Sequence, residues 1–275
     1  MSFPILQKYL ARLSDATGAA TSIWLDHEGK AQGRFFNCTM SSAFQPIRAA
    51  GSGAVQAYEG LARSVSAQDQ GLSLWKLLDH AASDDESIEL DRLCRMLHSI
   101  NFFRQAETAP NADADLYLNV HDRLLSAVSS NHGHAFRRIL DALELPLGRV
   151  VLQLPAATPQ QGWLLNYVSD NYRRNGFRFA VNVAGARDAL HVLGRLRPDV
   201  FKLDARDLHD EAALLELLQR CAADKVTLVF KRLETPQQLT ALRQLGDTAG
   251  VPLLVQGYLL DEPRAALLEP ARRAA

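Results

Sequence analysis

The chain has 275 residues, 47% of them apolar, which is enough to bury a full hydrophobic core. This length fits one large α/β domain better than two average domains. The 30 Lys and Arg side chains nearly balance the 31 Asp and Glu side chains, so no overall field would attract nucleic acid or an anionic membrane surface.

The three cysteines, Cys38, Cys94 and Cys221, are odd in number and lack metal-ligand spacing, which favours reduced thiols. No apolar run approaches the roughly 18 residues that cross a membrane, and the N-terminus lacks the apolar core of a signal peptide. We therefore expect a cytoplasmic protein with neither nucleic acid nor a membrane as partner.

In chain order, residues 1–40 are predicted to form an extension with a helix over 4–13 and a hairpin that turns at Glu28 and Gly29. Across residues 41–264, β-rich apolar runs alternate with helical periodicity, a pattern typical of βα units around a parallel sheet. The clearest predicted strands are 116–120, 150–154, 179–183, 200–204, 226–231 and 252–258. These patterns leave a barrel and a doubly wound sheet open, and residues 265–275 are expected to form a charged tail.

Two predicted helices between these strands have clear signals. The apolar residues of one fall on a single face, Leu90, Leu93, Leu97 and Ile100. Thr235 and Pro236 are typical of the cap and first turn of another helix. His132 and His134 are predicted to lie in a solvated helix-capping loop rather than in a metal site, because no carboxylate or cysteine partner lies near them in the sequence.

Polar residues stand at the ends of several predicted strands, where a buried strand would be expected to stay apolar. In a βα barrel these strand ends form the ligand-binding face. The set is Gln45, Glu59, Asn119, Gln153, Asn182, Lys202, Asp204, Lys231, Glu234 and Gln256.

Motifs around these residues resemble those of the EAL domain family of cyclic-di-GMP phosphodiesterases. The chain has FQPI at Phe44, YEGLAR at Tyr58, NVH at Asn119, FKLD at Phe201, LETPQQL at Leu233 and QGY at Gln256. They are similar to the family's F-Q-P-I, E-A-L-L-R, N-V-S, L-K-I-D, V-E-T-x-Q and Q-G-Y, in the same order and with matching spacing. The resemblance implies an α/β fold, a TIM-like (β/α)8 barrel of the EAL type with one antiparallel strand.

The resemblance also implies two Mg²⁺ or Mn²⁺ ions in active members, and such ions need several carboxylate ligands. The positions that match the first metal site are Glu59, Asn119, Gln153 and Asn182, where amides replace two carboxylates. Those that match the second site, which includes the first glutamate of A-E-G-V-E, are Val183, Asp204 and Lys231. Valine offers no donor and lysine adds a positive charge. We therefore expect no bound metal, no other cofactor and no catalytic residue.

The resemblance implies a nucleotide pocket formed by Gln45, Pro46, Glu59, Leu61, Arg63, Asn119, Lys202, Asp204, Lys231, Glu234, Gln256 and Gly257. Arg63 matches an arginine that contacts a phosphate, and Lys202 matches the lysine that positions the attacking water. Lys231 would place its ammonium against phosphate oxygens that a metal would bridge. The structural alternatives are an ion pair of Lys231 with Asp204 or Glu234, and one between Asp204 and Lys202.

The favoured hypothesis is a catalytically inactive signalling protein, a metal-independent receptor for cyclic-di-GMP that acts through a regulatory or motility protein. One alternative is a nucleotide-independent adaptor that binds and sequesters a regulatory protein. Residual cyclic-di-GMP phosphodiesterase activity is a third.

Overall fold

A computed structural model describes residues 3–17, 23–36, 38–64, 83–106, 113–121, 132–155 and 162–268. The helices are α1 Phe3–Thr17, α2 Asp84–Ala106, α3 His132–Ala142, α4 Gly162–Arg174, α5 Ala186–Leu196, α6 Glu211–Asp224 and α7 Pro236–Ala249. The strands are β1 Ile23–Leu25, β2 Ala31–Phe35, β3 Cys38–Ala49, β4 Val55–Ser64, β5 Asp115–Asn119, β6 Val150–Leu154, β7 Arg178–Asn182, β8 Val200–Asp204, β9 Thr227–Lys231 and β10 Leu254–Val255.

Strands β3 to β10 close into a barrel, because β3 pairs with β4 on one side and with β10 on the other. Both of these pairings are antiparallel, whereas all the pairings from β4 round to β10 are parallel. The predicted α/β barrel with one antiparallel strand is therefore confirmed. Long-range pairing of β3 excludes the doubly wound sheet that the residue patterns alone left open.

The predicted strands agree with the structure except the last. The run predicted over 252–258 pairs only at Leu254 and Val255, because the chain beyond them turns against Leu233. The N-terminal hairpin turns where expected, with Gly29 in the left-handed region and the Asp26 carboxylate accepting from the backbone N–H groups of Glu28 and Lys30. The helix predicted over 4–13 is longer and spans Phe3–Thr17.

The predicted loop around His132 and His134 is wrong, because both residues lie in the first turn of α3. The reason is a tertiary contact from α4. The Gly133 backbone N–H donates to Asn171 Oδ1 of α4 at 3.2 Å, so a neighbouring helix satisfies one of the backbone donors in the first turn. By contrast, Thr235 caps α7 as predicted, in a capping box with Gln238.

Both ends of the described chain contact the barrel. Strand β2 pairs with the first residues of β3, so the N-terminal hairpin continues the barrel sheet. Phe44 and Arg264 exchange two backbone hydrogen bonds, and the Leu267 N–H donates to Gln105 Oε1. The domain boundaries at 40/41 and 264/265 remain predictions, and most of the expected tail, residues 269–275, lies outside the described residues. Of the described helices, none has the length and apolar content to cross a membrane.

Gly60, which takes the place of the family's alanine in E-A-L, packs against a buried histidine of α2. A Cβ atom at Gly60 would lie 3.0 Å from His98 Cβ and Cγ. Burial lowers the pKa of His98 to about 3, so the ring is neutral, and its Nδ1 is hydrogen-bonded to Ser42 Oγ. The glycine therefore leaves room for an imidazole that joins α2 to β3.

A double-mutant cycle tests this packing. We expect Gly60→Ala to lower the free energy of unfolding by about 1 kcal/mol, because the new methyl group crowds His98. In a His98→Ala background the same methyl group fills freed space, so the two substitutions should couple by about 1 kcal/mol or more in urea denaturation. Gly51→Ala, where an added Cβ meets nothing within 4 Å, is the control. Additive effects at Gly60 and His98 would contradict the packing argument.

Candidate functional site

The barrel interior contains an apolar layer below a polar layer. The apolar layer is Ile47, Ala57, Tyr117, Val151, Ala180, Val200 and Val229, with Leu254 packed against it. Side chains on a strand alternate between its two faces, so residues two positions nearer the barrel mouth also point inward. These residues form what we call the polar layer, Gln45, Glu59, Asn119, Gln153, Asn182, Lys202, Lys231 and Gln256.

The Lys202 ammonium lies at the centre of the polar layer. Its Nζ donates to Glu59 Oε2 at 2.8 Å, to Gln153 Oε1 at 2.6 Å and to Gln256 Oε1 at 2.9 Å. The side chain is only 2% exposed. An ammonium has three donors, so Lys202 is fully hydrogen-bonded inside the protein.

Glu59 is the counter-ion of Lys202 and is equally well satisfied. In addition to the lysine, Gln256 Nε2 donates to Oε2 at 2.7 Å and Asn119 Nδ2 donates to Oε1 at 2.8 Å. Burial alone would raise the pKa of Glu59, but the charge of Lys202 and these hydrogen bonds outweigh it and lower the pKa to about 2. Glu59 is therefore a carboxylate at neutral pH. The alternative in which Lys202 pairs with Asp204 is wrong.

Gly257 holds this network in place through its backbone. A Cβ at Gly257 would lie 2.1 Å from the Leu233 carbonyl oxygen, so only glycine permits the two segments to approach so closely. The Leu233 N–H donates to the carbonyl of the adjacent Gln256 at 3.0 Å, and Gln256 Nε2 donates to Gln45 Oε1 at 3.0 Å.

Lys231 also points into the barrel mouth, where none of the described carboxylates forms an ion pair with it. Its Nζ donates to Asn182 Oδ1 at 2.6 Å, and no ion pair joins it to Asp204 or Glu234. The predicted alternative of a Lys231 ion pair is therefore wrong. Burial lowers the pKa of Lys231, and the charges of Lys202 and Arg232 lower it further.

Asp204 is held by two arginines that were not among the predicted site residues. Arg206 Nε and Nη2 donate to its two carboxylate oxygens at 2.9 and 2.7 Å, and Arg232 Nη1 donates to Oδ2 at 3.0 Å. Hydrogen bonds from Arg206 are the main reason that the pKa of Asp204 lies far below its usual range, and Arg232 adds to this effect. The sequence signal for Arg206 was its position two residues after Asp204. An aspartate at a strand end often accepts a hydrogen bond from the backbone N–H two residues further on, which brings that residue close to the carboxylate.

These side chains surround a cavity of about 590 Å³ at the barrel mouth. Nine of the predicted residues line it, Gln45, Glu59, Leu61, Asn119, Lys202, Lys231, Glu234, Gln256 and Gly257. Asp204 lines an adjoining recess, which shares Asn182, Lys231, Arg206 and Arg232 with the cavity. Pro46 is buried outside the lining, because it neighbours Gln45 and points to the opposite face of β3. Arg63 is exposed near the end of β4, also outside the lining.

Tyr258 is a further lining residue that the prediction omitted. Its side chain is 66% exposed at the cavity rim. An exposed aromatic ring beside a charged cavity can stack on a nucleobase. Its signal in the sequence was its place in QGY, beside two residues that were predicted.

The model of the EAL domain family matches residues 29–263, so the chain belongs to this family. The resemblance that the motifs indicated is therefore confirmed at the level of the family. A comparison with curated protein sequences finds no match.

Solved structures with the same fold include several complexes with cyclic-di-GMP. Klebsiella pneumoniae BlrP1 in its calcium and cyclic-di-GMP complex is 22% identical with a TM-score of 0.67, over 84% of this chain and 57% of BlrP1. The Bacillus subtilis YkuI protein, with an EAL domain and in complex with substrate cyclic-di-GMP and calcium, has the same four values, 22%, 0.67, 84% and 57%. A standalone EAL protein from Vibrio cholerae O395, bound to cyclic-di-GMP, is 17% identical with a TM-score of 0.66, over 85% of this chain and 96% of that one.

BlrP1 is also known with FMN and cyclic-di-GMP but no metal ions, at 19% identity and a TM-score of 0.61 over 90% of this chain and 57% of BlrP1. The chain thus spans little more than half the length of BlrP1 and YkuI. At these identities the likeness shows the fold alone.

The side chains of this cavity do not fit a pair of divalent metal ions. Glu59 already accepts three hydrogen bonds, one of them from an ammonium. Asp204 is occupied by two guanidinium groups, and Lys231 puts a positive charge beside Asn182. Among the described residues no three His, Cys, Asp or Glu side chains lie close enough together to hold a metal.

The Glu59–Lys202 pair should make the free energy of unfolding depend on pH in the acid range. Because the pKa of Glu59 is lower in the folded protein than in the unfolded chain, its carboxylate stabilises the fold at pH values above the unfolded pKa, near 4.5. This stabilisation is lost as the pH falls toward the folded pKa of about 2. We expect Glu59→Gln to cost about 3 kcal/mol at pH 7, because it leaves a buried ammonium without an anion. The difference from wild type, measured by urea denaturation across this range, should shrink as pH falls.

Glu234→Gln is the matched control, because Glu234 loses the same charge at an exposed position of the cavity rim. A Glu59→Gln difference that stays constant from neutral to acid pH would contradict the ion pair.

Proposed function

We propose that this EAL protein is a catalytically inactive, metal-independent receptor for cyclic-di-GMP. The observation that carries the proposal is the excess of positive charge around a cavity whose buried carboxylate, that of Glu59, is already engaged by Lys202. Lys202, Lys231, Arg206 and Arg232 line the cavity, against the anions Glu59 and Glu234. Four cations against two anions leave the cavity an excess of about two positive charges at neutral pH. The adjoining recess adds the carboxylates of Asp204 and Asp207, so the excess belongs to the cavity and the combined site is about neutral.

Cyclic-di-GMP is a dianion, so a receptor without metals needs protein cations for its two phosphodiester groups. Guanidinium and ammonium groups are suited to phosphate oxygens, and a guanidinium can bind two of them at once. Arg206, Arg232 and Lys231 all lie at the junction of the cavity and the recess. The complex of BlrP1 with cyclic-di-GMP and no metal ions supports the idea that this fold can hold the nucleotide without metals.

The output of such a receptor would pass through a regulatory or motility protein. The second candidate is the nucleotide-independent adaptor. It is favoured by the internal pairing of Glu59 with Lys202, since the charged centre of the barrel is satisfied without any ligand.

Calorimetric titration of the protein with cyclic-di-GMP in excess EDTA tests the proposal. We expect binding at micromolar affinity or tighter, weakened by about tenfold or more in Lys231→Met, because this variant removes a cation of the cavity lining that is expected to meet phosphate. Arg195→Ala, an exposed arginine of α5, should bind as wild type does. No heat from the wild-type protein would overturn the receptor, and recovery of the same protein partner with and without cyclic-di-GMP would favour the adaptor.

Incubation of the protein with cyclic-di-GMP and Mn²⁺ tests the remaining alternative. We expect no linear product, because the side chains present do not fit the metals. Linear product that disappears in Glu59→Ala would contradict this expectation and restore a phosphodiesterase.

A further inference from the structure

Arg232 has a backbone conformation that is unusual for its residue type. Its φ is +59°, in the left-handed region that favours glycine, and in the family motif A-E-G-V-E the residue at this position is glycine. Arg197 and Lys225 share the conformation as the C-caps of α5 and α6, where a left-handed residue ends the helix. Arg232 follows the strand β9 and ends no helix. The close approach of Leu233 to Gly257 accounts for the turn of the chain, but it does not account for an arginine.

Fold stability does not account for an arginine at this position either. Within the part of the chain that the structure describes, its side chain forms an ion pair with Asp204 and no other, and it is 58% exposed. Exposed ion pairs of this kind contribute little to stability. Asp204 also has a complete partner in Arg206, which donates to both carboxylate oxygens. Glycine at residue 232 would give the same chain path without backbone strain.

The Arg232 guanidinium lies where an anion would be held. Arg232 uses one of its five donors on Asp204, and no other side-chain hydrogen bond of Arg232 is found within the described ranges. It lines both the cavity and the recess, together with Arg206 and Lys231. Arg206 and Arg232 both donate to the Asp204 carboxylate, which therefore orients the two guanidinium groups.

We propose that Arg232, with Arg206, binds one phosphodiester group of the nucleotide and takes over the role that a second metal ion would have had. Asp204 is then a positioning residue, which holds both guanidinium groups toward the ligand. This inference rests on the proposed receptor function and assigns the phosphate subsite within it. The strained backbone at Arg232 is retained because it carries a ligand-binding side chain.

The substitution Arg232→Gly separates binding from stability. It removes the guanidinium and relieves the backbone strain, so we expect the melting temperature to rise by about 2 °C. In the same protein, the calorimetric Kd for cyclic-di-GMP in EDTA should rise by about tenfold or more, because a charge-assisted bidentate contact is lost. Opposite effects on stability and on affinity are the signature of a strained binding residue.

Lys225→Gly is the matched control. Lys225 has the same φ of +59° but caps α6 away from the cavity lining, so we expect a similar rise in melting temperature and an unchanged Kd. If the wild-type protein binds and Arg232→Gly binds equally well, this inference is overturned and the receptor stands. If Arg232→Gly loses affinity and also melts lower, Arg232 is a structural residue and the inference is overturned. If the wild-type protein does not bind in EDTA, both proposals are overturned.

Discussion

The structure of the barrel mouth depends on one buried ammonium, that of Lys202. A lysine with a 2% exposed side chain requires an anion and two further acceptors, and it finds them in Glu59, Gln153 and Gln256. Glu59 lies on β4, Gln153 on β6 and Gln256 directly after β10, so the hydrogen bonds of Lys202 join opposite sides of the polar layer. The side-chain oxygen atoms of these three residues accept hydrogen bonds from Lys202 rather than facing a ligand in the cavity.

This arrangement changes what the cavity can hold. The Glu59 carboxylate is paired with Lys202, and the Asp204 carboxylate is paired with Arg206 and Arg232. Lys231 and the unused guanidinium donors are the cations left available to a ligand, and Glu234 at the rim is the remaining carboxylate of the cavity. A divalent cation would meet amides and cations there, whereas a phosphodiester would meet complementary donors. We therefore interpret the site as one for binding an anion.

Much of this site could be predicted from the sequence, because strand alternation places polar residues at the strand ends on one face. Glu59, Asn119, Lys202 and Gln256 were predicted in this way, and Thr235 was predicted as a cap from local chemistry. The arginine pair was not predicted. Arg206 and Arg232 meet only because β8 and β9 pair in the register that places Asp204 opposite Lys231, and because residue 232 adopts a positive φ. Neither the register nor the positive φ is indicated by the few residues on either side in the sequence. The closure of the barrel by β3 likewise depends on pairing between segments that are distant in the sequence.

We propose that protein cations at this barrel mouth occupy the place of divalent metals. Anomalous diffraction at the manganese edge, from crystals of the protein grown with Mn²⁺ and cyclic-di-GMP, tests it most directly. We expect nucleotide density with a phosphodiester against Lys231 and Arg232 and no anomalous peak beside Glu59 or Asp204. Two manganese peaks bridging the nucleotide phosphate to these carboxylates would contradict it.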